Sequence, residues 1–160
     1  MSFKKVILLI GAFLLFFFTS LISWYEGGQL RDDSIEWKYT AIFSNWINGE
    51  ITTSSDILII DHFVYAAKYE PLYPILMTIS FFYVIFQLAF LVIKKSRRLH
   101  NTFLGLIAVG SFTICILLLN SPTTGFKLFT LLFGLISLFS IIKILIFEVK
   151  KKKLSITQVN

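Results

Sequence analysis

Leu72 to Arg98 reads LYPILMTISFFYVIFQLAFLVIKKSRR, a long apolar run that ends in a cluster of basic residues. No acidic or basic residue occurs between Leu72 and Ile93. About 20 residues of α-helix cross the roughly 30 Å of hydrocarbon in a bilayer, since each residue advances the helix by about 1.5 Å. In lipid, the backbone polar groups of such a segment have to bond to one another, which favours a helix. The stretch therefore predicts a membrane-spanning helix over residues 72–93.

Three further runs resemble this one in length and character, and none of them contains an acidic residue. The chain of 160 residues is 56% hydrophobic and 15% charged, with a mean hydropathy of +0.80. Ordinary soluble domains are less apolar and carry more charge. The sequence therefore predicts an all-α membrane protein with four transmembrane helices, at residues 6–23, 72–93, 102–120 and 128–147.

The fourth run carries a stripe of small residues, Gly134, Ser137 and Ser140, which are spaced by three. Small side chains let two helix backbones approach closely in a membrane. A short outer turn at residues 121–127 joins this run to the third, and so short a connection predicts an antiparallel pair. We expect the third and fourth helices to pack on each other along this stripe.

Basic residues mark one side of the predicted spans. Lys4 and Lys5 precede the first span, the loop at 94–101 follows the second, and the tail at 148–160 follows the fourth. Because Lys and Arg in short flanks stay on the cytoplasmic side, we expect a multi-pass protein of the cell membrane with both termini in the cytoplasm. The basic residues cluster at span ends rather than among base-stacking aromatics, so the expected partner is the lipid bilayer and not nucleic acid.

The first run also fits part of the pattern of a secretory signal peptide, because basic residues precede an apolar stretch. The run is longer than most such regions, and Leu21 and Ser23 form a poor site for signal peptidase. These two features favour an uncleaved membrane anchor.

Residues 24–70, here called the cap, differ from the rest of the chain and carry eight of its nine acidic residues. The cap is too rich in Trp, Tyr and Ile to stay disordered, and loops of this length without structure are uncommon. Alternating apolar residues from Ile35 to Ala41 predict a strand, Asn48-Gly49 a turn, and residues 51–53 a second strand. We therefore expect a small extracytoplasmic cap that contains a short hairpin.

The end of the cap predicts a short interfacial helix. Asp61 is a favourable N-cap for a helix that runs to Tyr69, and Tyr65 and Tyr69 share one face of it. Pro71 disturbs the turn that precedes it, so the chain is expected to bend there into the second membrane helix.

Three segments carry a family resemblance: WYEGGQL at residues 24–30, EWKYTAIFS at 36–44 and DHFVYAAKYEPLYPILM at 61–77. They resemble the small YjdJ-like membrane proteins of Bacillus-type bacteria, over about the first 90 residues. The resemblance implies a bacterial cytoplasmic membrane protein with an outer loop between two helices. It brings no activity, cofactor or catalytic residue with it.

Asp61 and His62 form the one pairing that points to metal binding or acid-base chemistry. A single His and an adjacent Asp do not complete a site, so we predict no catalytic, cofactor-binding or metal-ligating residue. A membrane enzyme or metal site around Asp61 and His62 is kept as an alternative. An oligomeric permease for a small solute or ion is another, although Lys143 is the one residue within the spans that is charged near neutral pH and no polar pathway is evident.

The leading interpretation is a non-enzymatic protein whose aromatic and acidic cap acts on a membrane or envelope partner. Exposed aromatic side chains often anchor protein interfaces. The competing interpretation is that these rings pack on one another and rest on lipid headgroups. The candidate interaction surface consists of Trp37, Trp46, Phe63, Tyr65 and Tyr69.

Overall fold

The computed structural model of the chain describes residues 3–93 and 97–157, and their regular structure is helical. Short 3₁₀ turns at Gly28–Arg31 and Ser54–Asp56 interrupt the cap. The α-helices are α1 (Phe3–Gly27), α2 (Trp37–Thr40), α3 (Ile42–Asn48), α4 (Ile59–Tyr69), α5 (Leu72–Val92), α6 (Arg97–Leu118) and α7 (Thr124–Thr157).

Four helices, α1, α5, α6 and α7, are long and apolar enough to cross a membrane, which confirms the predicted set of four candidate spans. Three of them extend beyond the predicted runs: α1 continues to Gly27, α6 begins at Arg97, and α7 continues to Thr157 within the basic tail. Lys94, Lys95 and residues 158–160 lie outside the described residues. The side of the membrane on which each terminus lies stays a prediction.

Several hydroxyl side chains in the spans bond to the backbone of their own helix. Thr19 donates to the Leu15 carbonyl at 2.7 Å, and Ser80 donates to the Leu76 carbonyl at 2.6 Å. Each bond joins a residue to the one four positions before it, so the hydroxyl is satisfied without a partner from another helix. Such hydroxyls are compatible with an apolar surrounding.

The predicted hairpin is wrong, because the described part of the cap contains no strand. Ile35 and Tyr39 are 78% and 64% exposed, whereas Trp37 and Ala41 face the interior. Inward residues separated by four follow the helical period rather than the alternation of a strand. Gly49, with φ of 79°, ends α3 as its C-cap instead of turning between two strands.

A helix before α5 is present, but its start differs from the prediction. α4 begins at Ile59, after Leu58, so Asp61 lies inside its first turn and is not its N-cap. The carboxylate bonds instead to the amino end of α3. α4 ends at Tyr69 and α5 begins at Leu72, so the predicted break at Pro71 is confirmed.

The chain forms two compact units, and the first contains α1 to α4, most of α5 and residues 122–128. α1 and α4 meet at Gly27, where an added Cβ would lie 1.8 Å from the His62 carbonyl oxygen. An added Cβ at Gly125 would lie 2.2 Å from the Ala67 carbonyl oxygen. This second contact brings the carbonyl end of α4 to the amino end of α7, an electrostatically favourable arrangement of helix ends.

The second unit contains the end of α5, α6 and most of α7. The Ser137 hydroxyl of α7 donates to the Ala108 carbonyl of α6 at 3.0 Å. An added Cβ at Gly134 would lie 3.6 Å from the Cys115 sulfur of α6. The packing of the third and fourth long helices along the small-residue stripe is therefore confirmed.

Candidate functional site

The cap has a hydrophobic core of its own. Leu30, Ala41, Ile57 and Tyr65 are buried together, and Trp37 packs against them. The indole N–H of Trp37 donates to the Leu30 carbonyl at 2.8 Å, so the polar atom of this ring is satisfied inside the core. These residues come from distant parts of the cap, and their burial joins α2, α4 and the Gly28–Arg31 turn.

A buried carboxylate holds α3 in place. Asp61 is fully buried and accepts hydrogen bonds from the backbone N–H groups of Phe43 and Ser44, at 3.0 and 2.7 Å. The Ser44 hydroxyl also donates to Asp61, at 2.5 Å, and accepts from the Leu58 N–H at 2.8 Å. α3 lacks a capping side chain at Ala41, so Asp61 of α4 satisfies the unpaired amides at its first turn.

An ion pair joins α2 and α4. The Lys68 ammonium lies 2.5 Å from a Glu36 carboxylate oxygen and donates to the Thr40 hydroxyl at 2.9 Å. Partial burial acts to raise the pKa of Glu36, but hydrogen bonds from Lys68 and Thr40 outweigh it and lower the pKa to about 2. Burial alone would lower the pKa of Lys68, whereas its contact with Glu36 raises it. Both groups are therefore charged near neutral pH.

The five side chains of the predicted interaction surface lie in different environments. Trp46 is 82% exposed and Tyr69 is 42% exposed. Trp37 and Phe63 are partly buried, and Tyr65 belongs to the core of the cap. The structure therefore does not bring the five rings into one exposed patch.

Sequence reasoning missed an exposed apolar face on α3. Ile42, Trp46 and Ile47 are 54%, 82% and 63% exposed, and Phe43 lies beside them at 37%. Ile42 and Trp46 are separated by four residues, as are Phe43 and Ile47, so all four lie on one side of a helix. The short sequence IFSNWIN would have given this signal if it had been interpreted with a helical period instead of as part of a hairpin.

A pocket of about 400 Å³ opens beside the carboxyl end of α1. The residues that line it include Trp24, Tyr25, Gly28, Arg31 and His62. His62 is 3% exposed, and neither of its ring nitrogens makes a hydrogen bond of ordinary geometry within the described residues.

The His62 imidazole is neutral near pH 7. Burial lowers the pKa of His62, and the Arg31 guanidinium lowers it further. The Trp24 carbonyl and the Asp61 carboxylate act in the opposite direction but are weaker. A neutral imidazole has one N–H donor and one acceptor nitrogen.

The geometry around Asp61 and His62 bears on the metal hypothesis. Both Asp61 oxygens already accept hydrogen bonds from α3, and Arg31 places a positive charge near His62. Within residues 3–93 and 97–157, no cluster of three or more His, Cys, Asp or Glu side chains suitable for a metal ion is found. The arrangement gives Asp61 a structural role in the cap.

Comparisons with known proteins agree with the resemblance seen in the sequence. Residues 6–93, more than half of the chain, match a family described as Domain of unknown function (DUF4306). The chain is similar to the "Uncharacterized protein YjdJ" of Bacillus subtilis (strain 168), with 37% identity over 81 residues, or 49% of this chain and 74% of that protein. No solved structure matches it. The family match runs from α1 through the cap to α5, and the chain belongs to the DUF4306 family.

Proposed function

We propose that this chain is a non-enzymatic, multi-pass protein of the cell membrane that binds a membrane or envelope protein through the exposed face of α3. In this proposal both termini lie in the cytoplasm and the cap lies on the outer side. The main support for this proposal is the exposed apolar face of α3, which is formed by Ile42, Phe43, Trp46 and Ile47.

The apolar face of α3 points away from the core of its own chain. The polar side of the helix is used internally, since Ser44 bonds to Asp61 and the Asn45 amide donates to the carbonyls of Trp37 and Ala41 at 2.8 Å. α3 has no charged residue. A helix with its polar side turned inward and its apolar side exposed is unusual for a surface in water, and such patches commonly mark binding sites.

The same internal bonds keep the face in one arrangement. Asp61 fixes the first turn of α3, and Asn45 ties its middle to α2. A face that is already ordered loses less conformational entropy when a partner binds. Trp46, the most exposed of the four, would be the anchor, because Trp side chains in partner pockets often carry much of the binding free energy.

Site-specific photocrosslinking in cells tests this proposal. Benzoylphenylalanine at position 46, and in separate strains at position 42, should yield one protein adduct of the same mass. Position 65 is the matched control, since Tyr65 lies in the core and should crosslink only within the chain. Ile47→Asp should abolish the adduct from position 46 while the protein remains folded. Lipid adducts alone from positions 46 and 42 would show that the face rests on the bilayer and would refute a protein partner.

A further inference from the structure

We propose that the pocket beside the carboxyl end of α1 binds a phosphate group, held by the Arg31 guanidinium and a ring N–H of His62. The pocket has a volume of about 400 Å³, which is within the usual range for small-ligand sites. It is separate from the α3 face, so neither proposal depends on the other.

The buried His62 ring lacks a well-formed hydrogen bond among the described residues, and this suggests that it binds a ligand. Buried polar groups in proteins nearly always have a hydrogen-bond partner. His62 is 3% exposed, and neither ring nitrogen makes a hydrogen bond of good geometry within the described part of the chain; the Trp24 carbonyl is the nearby polar group that raises its pKa. His62 is one of the residues that line the pocket, and a charged acceptor bound there would form a stronger hydrogen bond with the ring than a backbone carbonyl does.

The positive charge of Arg31, which acts directly on His62, favours an anion beside the ring. Arg31 lines the same pocket and lies close enough to His62 to lower the pKa of the imidazole. A cation that approached the free nitrogen of His62 would be repelled by the guanidinium. An oxyanion would accept hydrogen bonds from the guanidinium and from the ring N–H of His62, and the planar donors of Arg match phosphate oxygens well.

Other groups at the pocket narrow the class of anion. Asp32 lines the pocket with an exposed side chain, and its carboxylate opposes a second negative charge on the ligand. A singly charged phosphate, such as a phosphodiester, fits this balance better than a dianion. Trp24 and Tyr25 are residue types that favour the depth of lipid headgroups, and the candidate span Phe3–Arg31 ends at the pocket. A phospholipid headgroup and a free phosphate ion offer the same chemistry.

Nitrogen NMR of the histidine side chains tests the site in the full-length protein. The chain has two histidines, and a His62→Phe variant assigns their signals. The protein is held in dodecyl maltoside micelles, which contain no phosphate, and is titrated separately with phosphatidylglycerol, with inorganic phosphate and with the phosphate-free lipid diglucosyldiacylglycerol. The His62 signals should move in a saturable manner with a phosphate-containing probe and stay in place with the glycolipid. The signals of His100, which packs between Phe90 and Phe147, should not move.

The outcomes separate the two sources of phosphate. A shift with phosphatidylglycerol alone assigns the site to a lipid headgroup, and a shift with inorganic phosphate assigns it to the free ion. Arg31→Gln should weaken the response about tenfold or more, because it removes a charged hydrogen-bond donor. Lys38→Gln, which removes a positive charge from an exposed part of the cap, should leave it unchanged.

A second variant guards against indirect effects of the Arg31 substitution. A Cβ at Gly28 would meet nothing within 4 Å, so Gly28→Leu should fold and fill part of the pocket. It should reduce the response to phosphate without removing any charge. No shift of His62 with either phosphate probe, or an equal shift with the glycolipid, would overturn the proposal.

Discussion

Asp61 of α4 and Ser44 of α3 contact each other twice, through the backbone N–H of Ser44 at 2.7 Å and through its hydroxyl at 2.5 Å. The two residues are 17 positions apart in the sequence, and both are fully buried. A helix of seven residues is marginal by itself in water. The Asp61 carboxylate therefore serves as the N-terminal capping group of α3, although it belongs to α4, and α3 depends on it.

Replacing Asp61 should release α3. Asp61→Ala leaves the Phe43 and Ser44 amides without their acceptor, and we expect a loss of about 3 kcal/mol in the local free energy of unfolding. Asp61→Asn keeps one acceptor oxygen and should lose less. Hydrogen exchange of a peptide that covers α3 measures the effect. Glu50→Ala, which removes an exposed acid of the cap, is the control. Equal exchange in Asp61→Ala and Glu50→Ala would show that α3 does not need the Asp61 carboxylate.

The parts of the fold that could be predicted from the sequence are those that depend on local properties, and the contact between Asp61 and Ser44 is not one of them. The spans depend on run length and apolar composition, which are local properties, and the α6–α7 pairing depends on the local stripe at Gly134, Ser137 and Ser140. α3 has Ala41 at its N-cap position, and its acceptor Asp61 lies far away in the sequence. No local signal marks the start of α3, so the alternation near Trp37 was misinterpreted as a strand.

The exposure of the aromatic rings in the candidate site also could not be predicted from local sequence. Tyr65 and Tyr69 share a helix face in the sequence, but the Leu30 turn covers Tyr65 and leaves Tyr69 partly exposed. Which rings face outward depends on which segments cover them, and the spacing of aromatics does not contain that information. Trp46 belongs to the predicted interaction surface and is exposed, whereas the apolar face around it can be recognised only once α3 is known to be a helix.

The Glu36–Lys68 ion pair should make the stability of the cap depend on pH. The pKa of Glu36 is lowered from 4.5 to about 2, so the pair contributes fully above pH 4.5 and its contribution is lost as the pH falls from 4.5 towards 2. We expect about 2 kcal/mol from the pair, less than the full shift because both side chains are partly exposed.

Thermal unfolding followed by Trp37 fluorescence, in a Trp24→Phe, Trp46→Phe background, measures this dependence. The melting temperature should fall as the pH is lowered from about 4.5 towards 2, and Glu36→Gln should remove part of the decline. The pKa of Asp56 is also lowered, by hydrogen bonds from Thr53, so some decline should persist in Glu36→Gln. An identical pH profile in the two proteins would contradict the assignment to Glu36.

Gly27 should not tolerate a side chain. Its Cβ would lie 1.8 Å from the His62 carbonyl, so Gly27→Ala forces α1 and α4 apart and should reduce stability by at least about 2 kcal/mol. Gly11 lies on the same helix, and a Cβ there meets nothing within 4 Å. Gly11→Ala should change stability by less than about 1 kcal/mol, given the greater helix propensity of Ala. Thermal melting in detergent compares the two, and equal melting temperatures would exclude the close approach.

Trp37 and Trp46 should respond differently to truncation. Trp37 packs on the core of the cap and bonds to the Leu30 carbonyl, so Trp37→Ala should cost about 3 kcal/mol. Trp46 is mostly exposed, so Trp46→Ala should remain within about 0.5 kcal/mol of the unmodified protein. Near-ultraviolet circular dichroism during thermal unfolding measures both. A large loss of stability in Trp46→Ala would mean that its ring supports the fold and would weaken its assignment to binding.

Reporter fusions should place the cap and the carboxyl terminus on opposite sides of the membrane. Gly49 is exposed at the end of α3, so an epitope inserted after it should be reached by antibody in intact spheroplasts. An epitope after Asn160 should be reached only when the membrane is made permeable, because the basic tail favours the cytoplasm. A single epitope before Lys4 should behave as the one after Asn160 does, since four crossings return the chain to its starting side. Access to both the Gly49 and the Asn160 epitopes in intact spheroplasts would require an even number of crossings between them and would contradict the three candidate spans that separate them. An epitope at Gly49 that is reached only after the membrane is made permeable would place the cap in the cytoplasm and remove the outer partner from the proposed function.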